Sequence, residues 1–530
     1  MKYLLFCLAA ALFLGCQSTP GAVKQKLRIN FQTDPPTLDP RKGGDMTSSM
    51  MHFLLFEGLT RQTPDGPTEL GVAKQIDISE DKLTYTFYLR EANWSDGTPI
   101  TAHDFEYTWK TMLNPTFPCF NAHLLFPIKN ARAAKLGEIP LDAVGVSAAD
   151  DKTLVVKLEA PTPYFLDLTA FCALYPVCKT AVENDASWSE GPPHHYACNG
   201  PFRLVEWKHC NQLKLEKNPH YWERAKVELE EIKVSLIENE HTALQLFEKG
   251  KLDIMGSAYT HIPTDATAKF KQLGLLKDYQ VPATTACSFN TTKPPFNNIH
   301  LRKALSLAID REAIVKNITR LSDEPAFTIL HPALLSWNPL HMAENVSAAI
   351  HFQKGLIELG LKAEDLPVIR VVYANQDLNN KIAQAIQYQW KETFGLKVQL
   401  EPSESKVYFN KLMHRDYDVG IFVMRAQYPD PMSILERFKY VDNPKNYPGW
   451  YNANFEKILD TQMYADTDEK RAEMLEAAQQ IMLQEVPISP IFHWRFAFMY
   501  QPYVKNMFIS PMGQIVLQWV KILDEKREAA

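Results

Sequence analysis

The residues best suited to chemistry lie close together in the stretch PPHHYACNGPFRLVEWKHC. Histidine nitrogen and cysteine sulfur are common ligands of zinc and other soft metals. The candidate ligands in this stretch are His194, His195, Cys198, His209 and Cys210. Their spacing matches no common zinc signature, and the stretch also has the composition of a loop that leads into a strand. We therefore predict no metal site here and interpret these residues as surface histidines and structural cysteines.

The patterns of the common enzyme classes are absent from the sequence. It contains no GxSxG, HExxH, GxxxxGK[ST], GxGxxG or CxxC motif, each of which would carry a recognisable catalytic or cofactor-binding arrangement. Carboxylates are plentiful, but nothing in the sequence pairs two of them for acid–base catalysis. The sequence predicts no catalytic residue, no cofactor and no enzyme activity, and a secreted hydrolase is the disfavoured alternative.

The amino terminus has the composition of an export signal. Lys2 supplies a positive charge, and residues 4–14 are apolar but too few to span a bilayer. We predict a signal peptide at residues 1–15. Phe13-Leu14-Gly15-Cys16 resembles the bacterial lipobox, in which the cysteine is acylated with fatty acids such as palmitate. Cys16 is therefore the predicted lipidation site and residues 16–26 the polar tether, with ordinary secretory cleavage as the alternative.

Length and charge limit the class of protein. The 530 residues carry 56 basic and 62 acidic side chains without a basic tract, so nothing indicates nucleic-acid binding. One hydrophobic core rarely supports a chain of this length, so two or three domains are expected. Beyond the signal, no segment is apolar enough to span a membrane, which favours a soluble, tethered body.

The cysteines of the body allow disulfides in an oxidising compartment. Six remain after the signal peptide and Cys16 are set aside. The locally plausible pairs are Cys172–Cys178 and Cys198–Cys210. Six cysteines permit about 15 connectivities, and free buried thiols are the alternative.

Helical and strand-like segments alternate along the chain. Residues 82–90 and 153–160 alternate polar with apolar side chains, as strands do. Residues 102–113, 301–318 and 379–395 place apolar side chains at helical spacing, and the last of these segments ends in a glycine suited to a C-cap. This alternation predicts an α/β architecture.

Five blocks in one order resemble the extracytoplasmic solute-binding proteins of the oligopeptide and dipeptide class, family 5, which are the receptors of peptide ABC importers. The blocks are LFEGLTRQTPDG, a segment with WSDGTP at its centre, NGPFRLVEW, KNPHYW and PPFNNIHLRKALSLAIDREAIV. In WSDGTP, the serine, aspartate and glycine also have the composition of a turn. The resemblance covers nearly all of residues 27–520.

The resemblance implies a two-lobed, periplasmic-binding-protein-like α/β fold with an additional inserted small domain. Lobe I is expected at residues 27–56, 179–282 and 496–530, the inserted domain at 57–178, and lobe II at 283–495. The lobes are expected to close by a hinge around a ligand in the cleft between them. An extended peptide would bind there largely through its backbone.

The resemblance also implies how the ends of a peptide are held. Relatives place an aspartate of lobe II against the peptide ammonium group, and Gln427 stands at that position, which removes the charge-assisted part of the bond. Asp430 would substitute if its loop turned inward. The positions of a basic residue and a histidine that meet the ligand carboxylate in relatives hold Ile421 and Asn379. A shift of the alignment by a few residues, with Arg425 or Asp430 restoring a charge, is the alternative.

The remaining implied contacts come from both sides of the cleft. Residues 43–46 (GGDM) match the lobe I strand that pairs with the peptide, and two glycines would allow close approach, or they form a simple loop. Pocket aromatics of relatives correspond to Met424 and Ser405, while Phe120 and Trp494 are pocket or core residues. The predicted ligand-contacting residues are Gly44, Asp45, Met46, Phe120, Asn379, Ser405, Met424, Arg425, Ala426, Gln427, Asp430 and Trp494.

These features predict a lipoprotein that captures oligopeptides in an interlobe cleft and delivers them to an ABC permease. The expected partners are the peptide, the permease and ATPase subunits, and the bacterial membrane that holds the lipid. The expected form is a monomer in the periplasmic or other extracytoplasmic space. The weakened end contacts also fit longer or modified peptides, including cell-wall peptides. Other cargo, such as a metal chelate or haem, and a non-transporting surface adhesin or sensor are the alternatives.

Overall fold

The computed structural model describes residues 25–63, 68–190, 196–256, 260–263, 265–320, 323–340 and 346–523. The predicted signal peptide, Cys16 and most of the tether lie outside the described residues, as do His194 and His195. Among the described residues, we find no helix with the length and hydrophobicity that crossing a bilayer requires.

Helices and strands alternate through the described chain. The strands are β1 (Lys26–Phe31), β2 (Thr60–Gln62), β3 (Thr68–Leu70), β4 (Ala73–Ile78), β5 (Thr84–Leu89), β6 (Val146–Asp150), β7 (Thr153–Lys157), β8 (Phe202–Lys208), β9 (Gln212–Lys217), β10 (Glu231–Leu236), β11 (Ile254–Gly256), β12 (Lys277–Phe289), β13 (Glu324–Pro325), β14 (Ile369–Ala374), β15 (Val398–Ser403), β16 (Val419–Arg425), β17 (Ile488–Tyr500), β18 (Val504–Lys505), β19 (Phe508–Ile509), β20 (Ile515–Val516) and β21 (Lys521–Ile522). The helices are α1 (Met46–Leu55), α2 (Ala102–Leu113), α3 (Ala131–Lys135), α4 (Phe165–Thr169), α5 (Lys179–Asn184), α6 (Glu240–Glu248), α7 (Thr267–Gln272), α8 (Ile299–Leu307), α9 (Arg311–Ile314), α10 (Ala348–Leu359), α11 (Asp377–Phe394), α12 (Ser405–Met413), α13 (Met432–Leu435), α14 (Ala453–Thr461) and α15 (Asp468–Glu485).

Three larger sheets build the two-lobed fold. Lobe I carries the four-stranded sheet β1-β10-β9-β8, in which β1 and β10 are parallel. The inserted domain carries the antiparallel sheet β4-β5-β7-β6. Lobe II is centred on the mixed sheet β11-β17-β12-β16-β14-β15, with β13 paired to β17. The predicted α/β, two-lobed class with a small inserted domain is confirmed.

Two long strands cross between the lobes. β12 and β17 are each 13 residues long and pair antiparallel. Their register shifts between Gln280 and Thr284, so the two halves of the pair are offset from each other. The predicted lobe boundaries at 282/283 and 495/496 fall inside these strands, and they remain predictions.

The predicted elements of the sequence are largely present. The helix predicted at 102–113 is α2, which begins after a capping box in which an Asp104 oxygen accepts from the Thr101 backbone N–H at 2.9 Å. The predicted strands correspond to β5 and β7. The long helix predicted at 301–318 is instead α8 followed by α9, because Asp310 caps a new helix by accepting from Ala313 N–H at 2.9 Å.

The two predicted disulfide pairs are not formed. Cys172, Cys178 and Cys198 are buried free thiols, and Cys210 is an exposed one. Cys198 donates its S–H to Phe202 O at 3.5 Å within its own turn, whereas Cys210 lies in the turn that joins β8 to β9. Burial raises the pKa of the Cys172 and Cys198 thiols to about 12, so these thiols stay protonated and unreactive. The alternative prediction, that these cysteines are free thiols, agrees with the structure.

A buried charge cluster joins the inserted domain to lobe I. Arg61 Nη1 lies 3.1 Å from Glu57 Oε1 and 2.7 Å from Glu223 Oε2. Tyr221 and Trp222 donate to Glu57 at 2.7 and 2.5 Å, so its carboxylate is hydrogen-bonded from several sides. Burial alone would lower the pKa of Arg61, but the two carboxylates outweigh it and raise that pKa above its ordinary value.

We predict that Arg61→Met lowers the free energy of unfolding by about 3–5 kcal/mol, since it leaves the buried Glu57 carboxylate without its ion-pair partner and leaves Glu223 with Lys226 alone. Chemical denaturation followed by fluorescence measures the loss. The matched control is Lys381→Met, which removes an exposed pair with Asp377 and should cost no more than about 1 kcal/mol. Equal losses in the two variants would contradict the prediction.

Candidate functional site

A cavity of about 380 Å³ lies where the two lobes and the inserted domain meet. Lobe I contributes residues of α1 and the loop before it, and the inserted domain contributes Asn121, Ala170 and Phe171. Lobe II contributes the end of β16 and Trp494 of β17. Interlobe cavities of a few hundred Å³ are typical sites for small ligands, so this cavity is the candidate site.

The lobe I wall is formed by a glycine loop and the start of a helix. Asp45 caps α1 and accepts from Ser48 N–H at 2.8 Å. A Cβ atom placed on Gly44 would lie 3.3 Å from the ring of Phe120, so glycine lets this loop pack closely against Phe120. Met46 is already the first residue of α1, so the segment predicted as a peptide-pairing strand is a loop followed by a helix turn.

The lobe II wall is the exposed edge of a strand. β16 pairs with β12 along its whole length, from Val419 to Arg425. On its other side it pairs with β14 only at Val419 and Gly420. The edge of residues 422–425 therefore has no paired strand within the described chain, and these four residues line the cavity. An open strand edge is a ready-made partner for an extended backbone.

Trp494 and Arg425 line the base of the cavity, and Phe496 packs beside Arg425. Trp494 donates its indole N–H to Thr285 Oγ1 at 2.7 Å, which holds its ring in place. Arg425 donates to Met512 O at 2.7 Å and lies 5.7 Å from the ring centroid of Phe496. Burial lowers the pKa of Arg425 from its ordinary value.

A bridge of amides and one lysine joins all three units at one end of the cavity. Gln427 of lobe II donates to Asn121 Oδ1 at 3.0 Å, and Asn121 donates to Gly43 O of lobe I at 2.7 Å. Lys445 Nζ donates to both side chains, at 2.9 Å to Asn121 Oδ1 and 3.1 Å to Gln427 Oε1. Burial lowers the pKa of Lys445 well below its ordinary value, and the positive charge of Arg437 adds to this.

Other contacts across the cleft hold the lobes together. Arg132 of the inserted domain pairs with Asp442 of lobe II at 2.7 Å. The rings of Tyr164 and Tyr428 stack with centroids 4.9 Å apart. Together with the amide bridge, these contacts show that the lobes are closed over the cavity.

Eight of the predicted ligand-contacting residues line the cavity. They are Gly44, Asp45, Met46, Met424, Arg425, Ala426, Gln427 and Trp494. The backbone N–H groups of Ala426 and Gln427 are already used, by Pro282 O at 2.8 Å and Ser433 Oγ at 2.6 Å. Any further backbone pairing on this wall must therefore come from residues before Ala426.

Four predicted residues do not line the cavity. The loop of Asp430 does not turn inward, and Arg471 donates to both of its carboxylate oxygens at 2.8 and 2.9 Å. Phe120 lies behind Gly44. Asn379 donates to Ala374 O at 3.1 Å, and Ser405 begins α12. In the last two cases a neighbour lines the cavity instead, Gln376 for Asn379 and Phe409 for Ser405.

Several cavity residues carry no recognisable signal in the sequence. Arg437 and Lys445 are charged side chains in a proline-rich stretch. Charged residues in such a stretch are normally exposed, so the sequence does not indicate that these two line a cavity. Met512 and Gln514 come from the far end of the chain and reach the cavity only through the fold. The missed lining residues include Ser49, Met50, Phe53, Asn121, Gln376, Phe409, Arg437, Phe438, Lys445, Tyr447, Met512 and Gln514.

A second cavity of about 500 Å³ lies between the inserted domain and lobe II. His123 Nε2 and Glu436 Oε1 face each other there at 3.9 Å, and burial raises the pKa of Glu436 to about 7. Within the described ranges, no group of three or more His, Cys, Asp or Glu side chains is arranged to hold a metal ion.

Comparison with known proteins gives full-length matches. The oligopeptide-binding protein OppA of Bacillus subtilis is 38% identical over 500 residues, covering 93% of this chain and 92% of that protein. A solved structure of Haemophilus influenzae OppA in complex with RPPGFSPFR superposes with a TM-score of 0.86 at 27% identity, over 94% of this chain and 99% of that chain.

The Escherichia coli murein tripeptide-binding protein MppA gives a comparison of lobe arrangement. One structure of it has a TM-score of 0.86 at 28% identity, over 94% of this chain and 99% of that one. Its unliganded open form has a TM-score of 0.68 at the same identity, over 94% and 98%. The lobes of this chain are therefore arranged as in the peptide complex rather than as in the open form.

A family model provides the last comparison. The model described as bacterial extracellular solute-binding proteins, family 5, middle part, matches residues 68–446. This match spans the inserted domain, the crossing strand β12 and most of lobe II, and it agrees with the relatives that cover the whole chain. The chain belongs to the bacterial extracellular solute-binding proteins of family 5.

Proposed function

We propose that this chain is the substrate-binding protein of a peptide ABC importer, which captures oligopeptides between its lobes and delivers them to the permease. The observation that carries the proposal is the open edge of β16 inside the interlobe cavity. Backbone pairing along such an edge binds any peptide sequence, because every residue of a peptide except proline offers the same donor and acceptor.

The composition of the cavity wall indicates that the cavity accommodates peptides with many different side chains. Its apolar members are spread over both lobes, among them Met46, Phe53, Phe422, Val423 and Trp494. Methionine and aromatic surfaces adapt to different apolar partners. Relatives named for oligopeptides and a neighbour solved with a nine-residue peptide support this class of ligand.

The role is binding without chemistry. The family is one of binding proteins, and the described residues of the cavity wall are mainly apolar side chains, amides and cations. We assign the protein to the extracytoplasmic side of a bacterial membrane, anchored through lipid on Cys16. It acts as a monomer that docks on the permease and ATPase subunits.

Closure is proposed to occur about the crossing strands. The register shift between Gln280 and Thr284 on β12 lies beside the cavity residue Ala283. A pair of strands with a local offset bends more easily there than a regular ladder does. We therefore keep the lobe boundaries at 282/283 and 495/496 and place the hinge at this point.

Isothermal titration calorimetry with a mixed library of two- to five-residue peptides tests the proposal. Heat of binding and recovery of intact peptides by mass spectrometry are the expected results. Cleaved peptides would indicate a hydrolase. Binding of haem or a metal chelate in place of every peptide, or binding only to a protein surface, would support the alternative cargo or the adhesin.

Backbone pairing on β16 makes its own prediction. A single N-methyl group on an internal amide of a bound tetrapeptide should lower affinity by at least about tenfold, since it removes one buried donor. The matched control carries valine for alanine at the same residue, which adds bulk but keeps the N–H. Calorimetry compares the two peptides, and equal affinity would argue against strand pairing.

Membrane attachment through Cys16 is tested by fractionation. Cys16→Ser should abolish incorporation of labelled palmitate and move the protein from the membrane fraction to the soluble one. Cys7→Ser, which changes a residue of the predicted signal peptide, should leave both properties unchanged. If the Cys16 variant still incorporates the label, the lipid is attached to another residue and the assignment to Cys16 is wrong.

A further inference from the structure

The charges around the cavity are unbalanced. The charged residues that line it are Asp45, Arg425, Arg437 and Lys445. Three are cations, and the single carboxylate among these described residues belongs to Asp45, which caps α1 on the opposite wall. None of the three cations forms an ion pair with a carboxylate of the described chain, whose ion pairs lie elsewhere.

The cations at one end also have unused hydrogen-bonding capacity. Lys445 has three N–H donors, and its acceptors Asn121 and Gln427 are neutral side chains. Arg437 is 7% exposed, and its guanidinium donates from Nη2 to Arg425 O. Its Nε is buried and has no hydrogen-bond partner within the described chain. This end of the cavity therefore presents donors and positive charge to whatever binds there.

Neighbouring carboxylates neutralise this end only in part. Asp430 is held by Arg471 at 2.8 Å. Glu436 lines the second cavity rather than this one, although its charge also acts on Arg437 and Lys445. Burial raises the pKa of Glu436 to about 7, which weakens its negative charge. Burial lowers the pKa of Lys445, so a ligand that supplies a full counter-charge favours its charged form.

We propose that a carboxylate of the bound peptide docks at the end of the cavity formed by Gln427, Arg437 and Lys445. This inference rests on the proposed function, because it concerns how the same cavity reads a peptide. The carboxylate accepts from the third N–H of Lys445 and from the Arg437 guanidinium, which adds a charged acceptor where both side chains now donate to uncharged oxygen atoms.

A peptide ammonium group is disfavoured at this end. Any group that bonds to the Gln427 amide lies next to Lys445 Nζ, which is 3.1 Å from Gln427 Oε1. Two positive charges would then face each other in a buried space, whereas a carboxylate would be attracted. The carboxylate has two possible sources, the C-terminus of an ordinary peptide or an acidic group that caps the amino terminus.

Four end-modified forms of tetraalanine distinguish these sources by calorimetry. They are the form with free ends, the C-terminal amide with a free amine, the N-acetyl amide without charge, and the N-succinyl amide with an acidic cap. A carboxylate form should bind at least about tenfold more tightly than the N-acetyl amide. Preference for the free-ended form identifies the C-terminal carboxylate, and preference for the N-succinyl form identifies an acidic amino-terminal cap.

Substitution at position 445 links this preference to the cavity. Lys445→Met should remove most of the advantage of the carboxylate form while leaving the N-acetyl amide little changed. The matched control is Lys439→Met, because Lys439 lies at the second cavity and pairs with Asp460. That control should keep the preference of the wild type.

A second variant keeps the test informative if Lys445→Met fails to fold. Gln427→Asp places a carboxylate beside Lys445, so it should weaken the carboxylate form and tighten the C-terminal amide with a free amine. Equal affinities of the charged and uncharged forms, or a preference for the free amine in the wild type, would overturn the inference and leave peptide binding intact. A lack of binding by all four forms would overturn both.

Discussion

The pairing of β12 with β17 is the constraint on which the cleft depends. β12 runs from lobe I into lobe II and β17 runs back, and their register shifts between Gln280 and Thr284. Val281, Ala283 and Phe496 pack together at that point, and Met46 and Trp494 lie against them. The same packed cluster therefore joins the lobes and forms the floor of the cavity. Ligand binding and lobe movement share one set of contacts.

Charge is buried in two different ways in this molecule. At the junction of the inserted domain with lobe I, Arg61 and Lys226 pair with Glu57 and Glu223, so two cations meet two carboxylates. In the cleft, Arg437 is buried and Lys445 is partly buried, and both donate to amide or backbone oxygens that carry no charge. Balanced burial stabilises a junction that does not move. In the cleft, the counter-charge that would stabilise the two basic side chains is left for a ligand to supply.

Much of the fold was accessible from the sequence, and part of the site was not. Helix α2 has the bounds that its apolar spacing predicts, and the structure shows a capping box at its start. The residues predicted around Gly44 and Arg425 also line the cavity. Asn379 and Ser405 are predicted near the right place, but their helices present other residues to the cavity. Lys445 could not be predicted, since a lysine is normally exposed and only the tertiary fold buries it.

The two ends of the described chain meet on lobe I. The Gln25 amide donates to Ile522 O at 2.9 Å and accepts from Ile522 N–H at 2.9 Å. A pull on the chain before residue 25 therefore acts first on lobe I, at the edge where β21 lies. With the lipid proposed on Cys16, lobe I stays close to the bilayer and lobe II is the part that moves when the cleft opens.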